Sequence, residues 1–363
     1  MIPSVIVFCL IESALRLAYL QEPLTYRNFT VEPVYQQVSK FAFTYESVIG
    51  YIAKAGYRDG HAYSHGEMGI RLNRTLSKNE SSPPIMTGGI LAVGDSFTYG
   101  SEVTDAESWP AQLERIIGIP VVNGGAGGYG TDQAALRAEQ LLDLVKPRMI
   151  IFSFIPNCIG RNEYSVNVGL IKPYFDVKNE GLTLENVPVP YYQPSVKHVG
   201  WIRKIFGYSY AITWAAERVG WGQHWQVTQG EVRKVHDKGA NVSCLLWSRL
   251  AEKIMGRGIV MVVLAQYAGI QVNGHDNSRD SYKVEKVLEC ARREGFIIID
   301  SFPELKRRFE ADEGSFWKLW VRQAHDKSLW HTGHMSAEGN LMTAELLAKG
   351  IRMTLPVPVM ADR

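Results

Sequence analysis

The feature that most constrains this chain is a short apolar run that recurs five times, with a helical stretch after most of them. The runs are G-I-L-A-V at 89–93, I-P-V-V-N ending at Asn123, M-I-I-F-S-F from Met149, I-V-M-V-V-L-A from Ile259, and F-I-I-I-D ending at Asp300. A largely apolar run of five to seven residues marks a strand buried on both faces, the habit of parallel rather than half-exposed antiparallel sheets. Helices are expected over Trp109–Ile117, Asp132–Leu144, Val242–Met255 and Val284–Glu294. A final helix is expected from Ser336 to Met353, stopped by Pro356 and Pro358. Parallel neighbours need long crossovers, so this alternation predicts an α/β fold: a doubly wound sheet of about five parallel strands with helices on both faces. Such sheets bind ligands beyond the carboxyl ends of their strands. The residues that terminate the runs are therefore the ones to read for chemistry.

Composition narrows the field. Over 363 residues, 39 basic and 37 acidic side chains leave a net charge of +2, without the basic excess that a nucleic-acid partner calls for. The 46% hydrophobic and 21% charged content is that of a globular protein, with no repeat or low-complexity tract. Cys9, Cys158, Cys244 and Cys290 include no C-x-x-C pair, so neither a zinc ribbon nor a thioredoxin-like site is indicated; their pairing is left open.

Four segments carry chemistry. Directly after the first run comes G-D-S-F-T-Y-G, Gly94 to Gly100, which puts Ser96 where a strand gives way to a helix. It is not a G-x-S-x-G elbow, because Thr98 holds the second glycine position. The bland alternative is that Ser96 caps the helix. N-G-G-A-G-G-Y-G-T, Asn123 to Thr131, follows the second run, and its glycines allow backbone N–H groups to approach a ligand. Gly125, Gly127 and Gly130 fit a nucleotide-type G-x-G-x-x-G, but no acidic residue ends the next strand to hold a ribose. Asn157 follows the third run, where its amide can donate to an oxyanion or simply make a turn. In W-H-T-G-H-M-S-A-E-G-N, Trp330 to Asn340, His334 opens the last helix as a candidate general base. His331 and His334 lie three apart, yet no H-E-x-x-H accompanies them, so a metal pair is poorly supported.

Taken together and in this order, the four segments resemble the SGNH, or GDSL, hydrolase family. The resemblance covers Gly89 to Asn157 and about Asp326 to Gly350. It implies a flavodoxin-like SGNH three-layer α/β/α sandwich, with Ser96 as nucleophile and His334 as base. The backbone N–H groups of Ser96 and Gly128 and the side chain of Asn157 are the implied oxyanion donors. No metal or organic cofactor is implied. Two positions depart from the pattern: His331 stands where the family has the Asp that orients the base, and Cys158 stands where Asp is common. Cys158 reads as a small buried apolar residue. For His331, three solutions are open. Asp326 or another carboxylate reaches His334, or a Ser–His dyad suffices, or the enzyme is weakened.

The expected activity is cleavage of a carboxylic ester, such as an O-acylated glycan or lipid, through an acyl-serine intermediate. The alternatives are an exported polysaccharide O-acetyltransferase and a degenerate glycan- or lipid-binding protein. Residues 86–355 form the expected hydrolase domain, with an aromatic-rich insertion at about 159–239 that is either a lid or a satellite core. Residues 22–85 read as a polar extension. Residues 1–21 read either as a truncated signal-anchor or as an amphipathic helix with Glu12 and Arg16 paired at i,i+4. A bacterial subgroup with an N-terminal anchor, a G-D-S-F-T-Y-G block and a G-Y-G-T-D-Q block shares these features, as Gly128 to Gln133 show. Export, or membrane anchoring through the N-terminus, is therefore expected.

Overall fold

The computed structural model describes residues 2–18, 42–77, 79–167, 170–179, 181–191, 209–219, 233–273, 280–321 and 333–354. They fall into two compact units, the larger made of 42–165, 172–190 and 234–363.

The larger unit opens with an antiparallel hairpin, Phe43–Glu46 (β1) and Gly50–Ala53 (β2), paired from Phe43↔Ala53 to Glu46↔Gly50. Then come Ile90–Val93 (β3), Val121–Asn123 (β4) and Met149–Phe154 (β5). Tyr164–Asn167 (β6), Leu170–Ile171 (β7), Tyr174–Lys178 (β8), Gly181–Glu185 (β9) and Arg233–Lys234 (β10) are outlying strands, of which β8 and β9 form a second hairpin, while β7 and parts of β6 and β10 belong to the smaller unit. Val260–Ala265 (β11) and Ile297–Asp300 (β12) return to the main sheet. Its order is β4-β3-β5-β11-β12, and every neighbouring pair is parallel. In chain order that is 2-1-3-4-5, the flavodoxin-like arrangement, whose switch point lies between β3 and β5. All five runs singled out in the sequence form this sheet.

Helices cover both faces because each strand is apolar on both. On one side Ile90, Ala92, Ile151, Val262 and Leu264 pack against Trp109 and Leu113 of the helix Trp109–Ile117 and against Leu347 and Ile351 of the helix Ala337–Thr354. Burial of each large aliphatic side chain stabilises the layer by roughly 1.5–3 kcal/mol. On the other side Phe152 meets the edge of Trp247, ring centroids 4.8 Å apart, on the helix Gly239–Ile254. A disulfide joins Cys244 of that helix to Cys290 of the helix Asp280–Arg293, which resolves a pairing that spacing alone left open. Cys158 is buried and unpaired, and burial pushes its thiol well above the ordinary range, so it is a packing residue. Beside β4, at the sheet's edge, the N–H of Arg71 donates to the carbonyl of Asn123 (2.9 Å) and the side chain of Asn73 to that of Val121 (2.8 Å).

The smaller unit contains the helices Ile2–Ala18 and Tyr210–Arg218. Glu12 and Arg16 make the i,i+4 pair at 2.8 Å, and the Glu12 carboxylate also accepts from the N–H groups of Tyr210 and Ala211 at the start of the second helix. Val5, Ile6, Val7, Phe8, Leu10 and Ile11 are exposed along the first helix. No described helix is long and apolar enough to cross a membrane. Of the insertion's aromatics, Tyr192, Trp201, Phe206, Tyr208, Trp221 and Trp225 lie outside the described residues.

Candidate active site

Ser96 begins the short helix Ser96–Tyr99 just past β3. The turn off the strand requires Gly94: a Cβ there would sit 2.5 Å from the carbonyl oxygen of Ser153 on β5. The cap of this helix is Asp95, whose carboxylate accepts the N–H of Phe97 (3.0 Å) and pairs through its other oxygen with Arg161 (3.1 Å). Ser96 is therefore not the capping residue. Its carbonyl takes the N–H groups of Gly100 and Ser101, each at 3.0 Å, which closes the turn tightly beneath it.

The glycine-rich loop after β4 is laid directly on this turn. Asn123 accepts the N–H of Gly125 (3.0 Å) and donates to the carbonyl of Thr98 (3.0 Å), while the N–H of Ala126 donates to the carbonyl of Gly94 (3.1 Å). Gly125 permits the approach, since a Cβ there would come within 2.5 Å of the backbone nitrogen of Tyr99. Gly128 has φ +79, a left-handed conformation that side chains other than glycine adopt only with strain.

Asn157 lies in the first turn of the helix Pro156–Arg161, beyond the end of β5. Its amide is oriented by a relay. The Gln271 side-chain oxygen accepts the N–H of Ala268 (2.9 Å), which leaves the Gln271 NH₂ group to donate to Asn157 Oδ1 (3.2 Å). Asn157 is thus left presenting its NH₂ as a donor.

His334 stands on the same side of the sheet, its ring against that of Phe97 (centroids 5.6 Å apart), the neighbour of Ser96. Its Nδ1 lies 2.9 Å from Glu102 Oε2, and the same oxygen accepts the backbone N–H of His334 at 2.9 Å. With Nδ1–H donating, the neutral ring carries its lone pair on Nε2, the tautomer a general base needs. Asp326 and His331, the orienting residues expected from the sequence, lie outside the described residues.

Glu102 was not singled out by the sequence, and strong restraints hold it. Its backbone has φ +69, in the left-handed region, and its N–H donates to the hydroxyl of Tyr63 (2.8 Å). Arg71, fully buried, pairs with Asp105 (2.9 Å) and donates to the carbonyls of Tyr99, Gly100 and Val103, bracketing Glu102 on both sides. Behind this loop His65 is buried between the carbonyl of Lys54 at Nδ1 (3.1 Å) and the hydroxyl of Tyr99 at Nε2 (2.8 Å). Burial lowers its pKa to about 4, so the ring is neutral. The sequence signalled only that His331 leaves the carboxylate to come from elsewhere, and nothing in it set Glu102 apart from the other acidic residues.

Four segments remote in the chain thus meet at the carboxyl ends of β3, β4 and β5, around the switch point of a 2-1-3-4-5 sheet. The arrangement is that of a doubly wound, flavodoxin-like α/β fold. No protein-family model and no curated protein matches the chain. Among solved structures, it is similar to a lipase/acylhydrolase from Enterococcus faecalis, at 14% identity over 76% of this chain and 100% of that one, with a TM-score of 0.43. It is also similar to an acetyl xylan esterase, Axe2, from Geobacillus stearothermophilus, at 13% identity over 74% and 96%, with a TM-score of 0.40.

Proposed function

We propose that this protein is a serine hydrolase of the SGNH/GDSL type that cleaves carboxylic esters through an acyl-serine intermediate. The observation that carries the reading is the imidazole of His334, held by a carboxylate and set against the residue next to Ser96. In the proposed cycle His334 Nε2 takes the hydroxyl proton of Ser96 while the serine oxygen attacks the ester carbonyl. The N–H groups of Ser96 and Gly128 and the amide of Asn157 receive the negative charge on the tetrahedral oxygen. The imidazolium then returns its proton to the departing alkoxide, and water attacks the acyl-serine by the reverse route to release the acid. Glu102 takes the part of the orienting carboxylate, stabilising the imidazolium that forms in both halves.

O-acylated glycans and lipids are the proposed substrates, and an exported location is proposed with them. A disulfide between two core helices supports an oxidising compartment. The exposed apolar side chains on Ile2–Ala18 support contact with a lipid surface.

A fluorophosphonate probe tests the reading. The wild-type protein is expected to label covalently, and Ser96→Ala to stay unlabelled. Folded wild-type protein that resists the probe and hydrolyses no ester would make this a binding protein and overturn the assignment.

A further inference from the structure

The loop expected to supply an oxyanion donor contains two consecutive glycines, Gly127 and Gly128, the least restrained peptide a chain can offer. A donor works only if it is fixed before the reaction, because an N–H that must reorient stabilises little charge. Within the loop this peptide is the middle of a turn in which the N–H of Tyr129 donates to the carbonyl of Ala126 (3.5 Å), and a second hold on it comes from the N-terminal hairpin. The hydroxyl of Tyr51, on β2, donates to the carbonyl of Gly127 at 2.8 Å. That carbonyl and the N–H of Gly128 belong to one planar peptide group, pointing in opposite directions. A bond to the oxygen sets the plane on which the N–H lies and also polarises the N–H, since hydrogen bonds in series reinforce one another.

We infer that Tyr51 is a positioning residue for the oxyanion site, fixing and polarising the Gly127–Gly128 peptide through its carbonyl. The reading rests on the hydrolase assignment above and adds a part from outside the doubly wound sheet. The tyrosine is itself firmly seated. It is 4% exposed, its ring packs edge-on against Phe43 (5.9 Å) and Tyr129 (5.3 Å), and its carbonyl accepts the hydroxyl of Tyr129 at 2.6 Å. Burial holds its hydroxyl protonated well beyond the usual tyrosine range, so the donor is present at every working pH. The fit is close: a Cβ at Gly128 would come within 2.9 Å of the same hydroxyl.

The test is Tyr51→Phe, which keeps the ring and deletes one oxygen. Tyr45→Phe, which deletes a hydroxyl bonded to the carbonyl of Val189 from the same hairpin, serves as the control. Hydrolysis of p-nitrophenyl acetate by Tyr51→Phe is expected to lose about tenfold in kcat, a fraction of the 10²–10³ that deleting a donor costs, with KM within about twofold. Tyr45→Phe is expected to keep the wild-type kcat. A second route uses Gly128→Ala, whose methyl group meets the Tyr51 hydroxyl. Adding Tyr51→Phe to it should lower kcat less than about twofold further, because both act on one peptide. Wild-type kcat in Tyr51→Phe, an equal loss in Tyr45→Phe, or full additivity in the double variant would overturn the inference while leaving the hydrolase reading intact. An inactive wild-type protein would remove both.

Discussion

Replacing Glu102 by Gln tests whether a carboxylate supplied by the loop after the nucleophile does the work usually given to one placed before the base. The substitution keeps the size and the acceptor oxygen facing His334 Nδ1, so what it removes is charge. Two unit charges about 4 Å apart attract by about 1 kcal/mol in water and about 4 kcal/mol at an effective dielectric of about 20. The side chains of His334 and Glu102 are 33% and 26% exposed, so the pair sits between those limits. A loss of about 2–3 kcal/mol in stabilising the imidazolium follows. At about 1.4 kcal/mol per factor of ten, kcat/KM should fall roughly 30- to 200-fold. That is milder than the ~10⁴ lost when a buried triad Asp becomes Asn. The assay is steady-state hydrolysis of a soluble ester, with circular dichroism to show that the variant is folded. A folded Glu102→Gln within about threefold of wild type would refute the argument and leave Asp326 or an unassisted dyad as the orienting device. A loss that restoration with Asp partly recovers would strengthen it.

Gln271→Glu is expected to reverse the Asn157 amide. The new carboxylate still accepts the N–H of Ala268 but turns an oxygen toward Asn157 Oδ1, so Asn157 rotates to give it the NH₂ group meant for the oxyanion. kcat should fall towards the level of Asn157→Ala, about 10²-fold down, whereas unchanged kcat would mean that Gln271 does not orient the amide. His65 makes stability depend on pH. Its folded pKa of about 4 is depressed from 6.5, so the unfolded chain binds the proton first. The stabilisation is complete above pH 6.5 and is lost as pH falls to about 4, amounting to about 3 kcal/mol. Urea midpoints at several pH values should show a shallower acid decline in His65→Gln, and an identical decline in both proteins would rule the group out.

The sheet was readable because each of its strands is largely apolar on both faces and ends at a turn. Helix positions followed from the crossovers that parallel pairing demands, and observed boundaries lie within about four residues of expectation, as at Thr131–Val145 and Asp280–Arg293. Ser96, Gly128, Asn157 and His334 were singled out for a different reason: their four short blocks follow strand ends in an order that resembles the SGNH family, and the roles proposed for them come from that resemblance. Glu102 was not, because it enters the site through a left-handed residue and a buried guanidinium given by Arg71, and neither leaves a periodic trace. Tyr51 was hidden because its bond to the Gly127 carbonyl joins positions 76 residues apart in the chain. Residues 42–77 are polar enough to read as an extension, yet Tyr51, Tyr63 and Arg71 all bond to the loops around the serine. Long-range side-chain to backbone bonds of this kind have no signature in spacing or composition.

The contacts of Arg71 and Asn73 with β4 bear on how the protein behaves in solution. A terminal strand with free carbonyls invites a strand from another molecule, and strand addition of that kind leads to polymer. Here the carbonyls of Val121 and Asn123 are already occupied by the preceding segment of the same chain. Trimming the molecule back to the doubly wound part alone would uncover them. Such a fragment should be sticky as well as inactive, so shortened versions made for crystallisation or engineering ought to begin before Phe43.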